Sequence, residues 1–143
     1  MRIHLGFTLV ELMVVVAIVA ILSSVALPWY GQYVQRGVRG DGISSLQAIL
    51  DAQERFYTDN IRYTTNLADL GLTVNGNGFY ITPNEDYAIR AEVCTVGGNP
   101  APLTQCVQLR AEPQGGQVAD GILEINSIGM QRRILPNNTV VDW

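Results

Sequence analysis

Few residues in this chain carry reactive chemistry, and the most conspicuous of them stands in apolar surroundings. The sequence begins MRIHLGFTLVELMVVVAIVAILSSVALP, where Glu11 sits inside an apolar run from Phe7 to Leu27 that is broken otherwise only by Thr8, Ser23 and Ser24. A carboxylate at the centre of a membrane helix costs about 2.5–3.5 kcal/mol on insertion scales. Glu11 is only one turn from the start of the run, so it can stay near the interface, where the cost falls. In the first turn of a helix the macrodipole also favours an anion. These arguments account for tolerance of Glu11 and leave its purpose open.

The remaining chemistry-bearing residues are sparse. The single histidine, His4, lies at the extreme N-terminus; removal of the first few residues leaves a chain without the commonest general base and metal ligand. Cys94 and Cys106 flank the loop TVGGNPAPLTQ, a spacing unlike the two to four residues between zinc or thioredoxin-type ligands. A disulfide closing a hairpin loop is preferred to two free buried thiols, and it implies an oxidising compartment. No calcium loop of alternating acids, phosphate-binding glycine loop, nucleophile elbow or pair of catalytic carboxylates occurs. No enzymatic activity, cofactor or metal is therefore expected. Arg39-Gly40-Asp41 spells an integrin-binding tripeptide and Asn137-Asn138-Thr139 a glycosylation sequon, both short enough to arise by chance. The formal net charge is −4 and every basic residue is arginine, with no lysine. Such a balance lacks the clustered basic face that nucleic acid demands, so nucleic acid is not expected as a partner.

The elements that position these residues follow from hydropathy. At 143 residues the chain has room for one domain plus an appendage. The run 7–27 would measure about 31 Å as a helix, enough to cross a bilayer core, and it is apolar on all sides. A plain membrane anchor and a secretory signal cleaved after Ser24-Val25-Ala26 are both generic readings of such a run. Pro28 interrupts the helical pattern and favours a bend. Gly31, Gly37, Gly40 and Gly42 then weaken the following helix by about 1 kcal/mol each relative to alanine. The stretch DGISSLQAILDAQERFYTDN forms a better helix, with an apolar stripe of Ile43, Leu46, Ile49, Leu50, Phe56 and Tyr57, and Asp41 or Ser44 is a candidate cap. The simplest reading is one long helix, apolar in its first half and amphipathic in its second, with a loosened joint between.

Residues 61–78 read as loop, with one turn of helix at 67–70. Strands are expected at 79–82, 86–93, 106–112 and 121–128, with an edge near the C-terminus. Their inward positions are Tyr87, Ile89, Ala91 and Val93; Val107, Leu109 and Ala111; Leu123 and Ile125. Together they predict an antiparallel meander that the stripe at 43–57 covers.

Gly6-Phe7-Thr8-Leu9-Val10-Glu11 resembles the class III signal of type IV pilins and pseudopilins. Continuing the likeness, ALPWYGQYVQRG is similar to the family's proline-aromatic stretch, and DAQERFYTDNIRYTTNLADLGL to a segment of minor pilins of the PilE type. YAIRAEV and LEINSIGMQR are similar to their sheet strands. The resemblance implies an α+β type IV pilin fold, a long N-terminal α-helix packed on an antiparallel β-sheet head. It also implies that a prepilin peptidase cuts between Gly6 and Phe7 and methylates the new amine of Phe7. Residues 1–6 would then be a leader, 7–30 a membrane and filament-core helix, and 31–143 a periplasmic head. Within that head the amphipathic helix would occupy about 41–59, the loop 60–78 and the sheet 79–143.

In this family the acidic residue, here Glu11, pairs with the freed amine of a neighbouring subunit and so registers the filament, while Pro28 takes the place of the helix-kinking proline. One departure is that Cys94 and Cys106 staple an internal hairpin, whereas many pilins enclose a loop near the C-terminus. The implied function is a structural subunit of a type IV pilus, a minor pilin taking part in assembly and priming. Pseudopilin of a type II secretion system and major pilin are the alternatives. Its partners would be other pilin subunits, the peptidase, the inner-membrane assembly machinery and membrane lipid. It would reside first in the inner membrane, head in the periplasm, and then in the extracellular pilus.

Overall fold

The computed structural model describes residues 7–143, and for 26–29 the backbone alone. The expected leader, with His4 and Gly6, lies outside the described residues. The chain divides into two compact units, Met1–Arg36 and Gly37–Trp143.

One α-helix, α1, runs from Leu9 to Asn60. Its backbone stays helical through Pro28 and through the glycines that follow, so no second helix begins at Asp41 or Ser44; the Ser44 hydroxyl instead donates to the Gly40 carbonyl. After α1 a 3-10 turn, Leu67–Leu70, lies where the sequence predicts a turn of helix, with the Asn66 side chain accepting from the Ala68 amide at its start.

The head is a six-stranded antiparallel sheet in the order β1-β2-β5-β6-β7-β8. Its strands are β1 (Tyr80–Ile81), β2 (Tyr87–Val93), β5 (Val107–Pro113), β6 (Ile122–Asn126), β7 (Gln131–Ile134) and β8 (Val140–Val141). A small hairpin, β3 (Thr95–Val96) with β4 (Asn99–Pro100), is inserted between β2 and β5. The alternating pattern of the long strands determines which face is dry. Tyr87, Ile89, Leu109, Ala111, Leu123 and Ile125 form one buried cluster with Leu46 and Ile49 of α1. The amphipathic half of the helix thus covers the sheet, the α+β architecture expected from the sequence.

Two features were not expected. Gln53 occupies the stripe fully buried. Its Nε2 donates to the Thr64 carbonyl at 2.7 Å and its Oε1 accepts from the Thr64 amide at 3.1 Å. The amide side chain thus pairs with the returning chain as a strand would, satisfying backbone groups that burial would otherwise orphan. The second is a 3-10 helix, Gly115–Asp120, between β5 and β6.

Candidate functional site

The first candidate is the N-terminal end of α1, where local hydrogen bonding accounts for part of the role of Glu11. The Glu11 amide donates to Thr8 Oγ1 at 3.2 Å, and Glu11 Oε2 accepts from the Thr8 amide at 3.5 Å. This reciprocal pair is a capping box, which satisfies two of the donors that a helix start leaves open. The four-residue pattern Thr-x-x-Glu before an apolar run was the signal for it in the sequence, and it gives Thr8 a role that the sequence reading missed. Among the described residues Glu11 makes no ion pair, and its carboxylate accepts from the Thr8 amide. Around it the large apolar side chains are exposed, among them Leu9, Val10, Leu12, Met13 and Val25, as is Phe7 at 80%. By length and composition α1 is able to cross a membrane.

The second candidate lies in the head. Asp120, at the end of the Gly115–Asp120 turn, is buried and accepts from two arginines. Arg39 of α1 donates through Nε to Oδ2 at 2.7 Å and through Nη2 to Oδ1, while Arg133 of β7 donates to Oδ1 at 2.9 Å. Gly121 makes this placement possible. Its φ is +93°, and a Cβ there would lie 2.3 Å from the Ile134 carbonyl oxygen, so the chain turns into β6 only with glycine at this position. Hydrogen bonding to Asp120 holds the Arg39 guanidinium above its ordinary pKa. Arg39 is therefore committed within the fold, which removes the tripeptide Arg39-Gly40-Asp41 as an adhesive motif.

Beside this clip, the Tyr87 hydroxyl is buried and accepts from Gln117 Nε2 at 3.1 Å. Burial is the main reason that its pKa is raised to about 12. The Tyr87 ring also meets α1 closely: a Cβ on Gly42 would fall 2.7 Å and 2.9 Å from its Cε2 and Cδ2. Gly42, read from the sequence as a helix weakener, is a point of close approach between helix and sheet.

The outer face of the sheet carries a row of charges. Arg90, Arg110, Glu124 and Arg132 lie directly opposite one another across β2, β5, β6 and β7. Glu124 is 1% exposed and accepts from Arg110 and from Arg132, each at 2.6 Å. Arg90 and Arg110 face each other as like charges, and Glu112 answers both, at 3.2 Å and 3.5 Å. Such cross-strand compensation removes the repulsion that like charges in register would cause.

Cys94 and Cys106 are joined by a disulfide. The loop that it closes is fastened to the end of α1, since Tyr57 Oη donates to the Thr104 carbonyl at 3.2 Å and the Tyr63 amide to the Leu103 carbonyl at 2.8 Å. Among the described residues no cluster of histidine, cysteine or carboxylate side chains is arranged to hold a metal.

Comparison with known proteins gives these features a common origin. A model of the prokaryotic N-terminal methylation motif matches residues 1–27, and the model described as "Type IV minor pilin ComP, DNA uptake sequence receptor" matches residues 28–121. The fimbrial protein EcpC of Eikenella corrodens is 34% identical over 80 residues, covering 56% of this chain and 52% of EcpC. The type IV major fimbrial protein FimA of Dichelobacter nodosus is 32% identical over 111 residues, 78% of this chain and 62% of FimA. A fimbrial protein of Neisseria meningitidis serogroup B is 30% identical over 117 residues, 79% of this chain and 69% of that protein. This chain thus spans little more than half the length of EcpC and less than two thirds of FimA. No solved structure matches it. A capped apolar helix that carries a covered antiparallel sheet, with these matches running from residue 1 to residue 121, has one assignment: the chain belongs to the type IV pilin family, whose members are structural fibre subunits and not enzymes.

Proposed function

We propose that this type IV pilin is a minor subunit that takes part in assembling and priming the pilus, registered in the fibre through Glu11. The minor-pilin match across residues 28–121 is the observation that supports the choice of subclass. The subunit is anchored in the inner membrane by its apolar helix before it enters the extracellular fibre. In that fibre the exposed apolar surface of α1 packs against the same surface of neighbours, and a carboxylate in such a core needs a cation. Cleavage after Gly6 supplies one, the methylated amine of Phe7 on an adjacent subunit. An apolar helix can slide along another, whereas a charge pair fixes its axial step. Pro28, which lacks a backbone donor, would act as the kink that lets the helix adjust as it leaves the bilayer.

Glu11→Ala tests this reading. It is expected to insert and be processed normally and to be absent from sheared fibres, and normal incorporation would refute the role of Glu11. For the subclass, deletion should abolish piliation while the protein stays scarce in wild-type fibres. Abundance there would make it a major pilin, and loss of protein secretion with pili intact would make it a pseudopilin.

The matched model's description favours a second reading, reception of DNA. Such a role asks for cations facing solvent; Arg39, Arg90, Arg110, Arg132 and Arg133 are each engaged by carboxylates, which leaves the exposed Arg36, Arg55 and Arg62 as the candidates among the described residues. A mobility shift of duplex DNA by the full-length protein in detergent, weakening steeply with salt, would establish that reading.

A further inference from the structure

Beyond the apolar run, α1 presents two large aromatic side chains that touch little else: Tyr30 is 69% exposed and Tyr33 76%. Arg36, one turn further on, is exposed too and makes no ion pair among the described residues. At 1.5 Å per residue, Tyr30 lies about 28 Å and Tyr33 about 33 Å along the helix from Glu11. The hydrocarbon core of a bilayer is about 30 Å thick. Tyrosine favours the membrane–water boundary, where the ring is sheltered and the hydroxyl stays wet, and arginine reaches from there to lipid phosphates.

Two registers are open to such an anchor. If the core matched the apolar run 7–27, Glu11 would lie about 6 Å inside the hydrocarbon and Tyr33 about 9 Å out in water. If it matched the interval from Glu11 to the tyrosines, the carboxylate and both rings would occupy the two boundaries. We infer that the membrane-anchored subunit sits in the second register, with Tyr30, Tyr33 and Arg36 forming a lipid-headgroup contact that holds Glu11 at the opposite face of the bilayer. The occupant of this surface is the lipid interface because it continues directly from the membrane-crossing segment. The spacing fits too: nineteen helical steps from Glu11 to Tyr30 nearly equal the core thickness, and Gln32 falls just outside it. The contact keeps Glu11 near the membrane edge until a neighbouring subunit's amine is available. The inference rests on membrane insertion and is independent of the minor-pilin assignment.

The test uses the full-length chain in vesicles of phosphatidylcholine and phosphatidylglycerol. Tyr33→Trp is placed in a Trp29→Phe, Trp143→Phe background, leaving one indole. Quenching by lipids brominated at graded depths should place this indole about 15 Å from the bilayer centre. An indole unquenched at every depth, in protein that floats with the vesicles, would overturn the proposed register. Protein that fails to float would overturn membrane insertion itself. As a second measure, Arg36→Gln should lose several-fold in the enhancement of vesicle partitioning by phosphatidylglycerol, while keeping its partitioning into pure phosphatidylcholine. An unchanged enhancement would remove Arg36 from the contact.

Discussion

At the scale of single residues, side chains that look like surface or signal features are committed to holding the fold. Glu11 closes a capping box with Thr8 before it meets any other subunit. Asp120 fastens the helix to β7 by accepting from Arg39 and Arg133, partners 81 and 13 positions away in the chain. Tyr87 carries the clearest consequence for pH. Its ordinary pKa of 10.0 is raised to about 12 in the folded head, chiefly by burial. Below pH 10 the phenol is neutral in both folded and unfolded chains, so it adds no pH dependence. Between pH 10 and about 12 the unfolded chain gives up this proton while the folded one keeps it. Stability then falls by about 1.4 kcal/mol for each pH unit across that window. Tyr87→Phe has no such proton to lose and forfeits the hydroxyl's hydrogen bonds with Gln117 and Asp120, about 1 kcal/mol each. Urea unfolding of both proteins at pH 9 and pH 11 should therefore show the gap in favour of wild type narrowing or reversing at the higher pH. A constant gap would mean that the phenol is not protected in the folded head.

At the scale of elements, the long helix is a set of segments with different tasks, and its glycines mark the changes. A Cβ on Gly31, Gly37 or Gly40 would meet nothing within 4 Å, whereas one on Gly42 would press against the Tyr87 ring and, at 3.2 Å, against Leu123 Cδ1. Helix propensity alone favours alanine over glycine by about 1 kcal/mol at all of these sites. At Gly42 that gain is opposed by overpacking of about 1–3 kcal/mol, because the ring is buried and its hydroxyl is held by Gln117. Gly40→Ala is thus expected to stabilise the head by about 0.5–1 kcal/mol, while Gly42→Ala destabilises it or at best breaks even. Thermal unfolding of the two variants separates these outcomes, and equal stabilisation by both would show that the close approach is not maintained in solution. From the sequence these glycines form one undifferentiated joint, because only the packed sheet reveals which of them has a neighbour. The inward faces of β2, β5 and β6 were legible, since period-two alternation is written locally, except at Val93, which was expected inward but is exposed at the end of β2. Gln53 was not: a polar residue on the dry stripe is allowed only by the backbone of Thr64, which returns to it after the loop. The turn Gly115–Asp120 was equally hidden, as it has no apolar pattern of its own and its Asp120 is held by ion pairs with Arg39 and Arg133.

At the scale of the whole molecule, the chain separates a surface left for lipid and other subunits from a head that satisfies its own charges. The helix segment before residue 26 exposes its large apolar side chains in a continuous run, while the arginines on the outer sheet are answered by carboxylates on neighbouring strands. The apolar segment was readable because membrane solvation acts on a local run of residues, whereas the capping box of Thr8 with Glu11 was missed. The charge row was not readable either, since it depends on strand register. The disulfide belongs to this larger organisation, because Cys94 and Cys106 join the end of β2 to the start of β5 and close the loop that Tyr57 and Tyr63 fasten to the C-terminal end of α1. Closing a loop of this length stabilises a domain by about 3 kcal/mol in the chain-entropy model. Replacing both cysteines by alanine should lower the unfolding free energy of the full-length protein by about that amount. The loss should also be uneven. In native-state hydrogen exchange the Tyr63 amide, which donates to Leu103 within the closed loop, is expected to lose protection by local opening. The amides of Ala111 and Leu123 should still exchange only by global unfolding, because β5 and β6 keep their pairing and their contacts with Leu46 and Ile49. If every amide lost protection equally, the disulfide would be acting on the unfolded chain alone, and the loop's attachment to the helix would not depend on it.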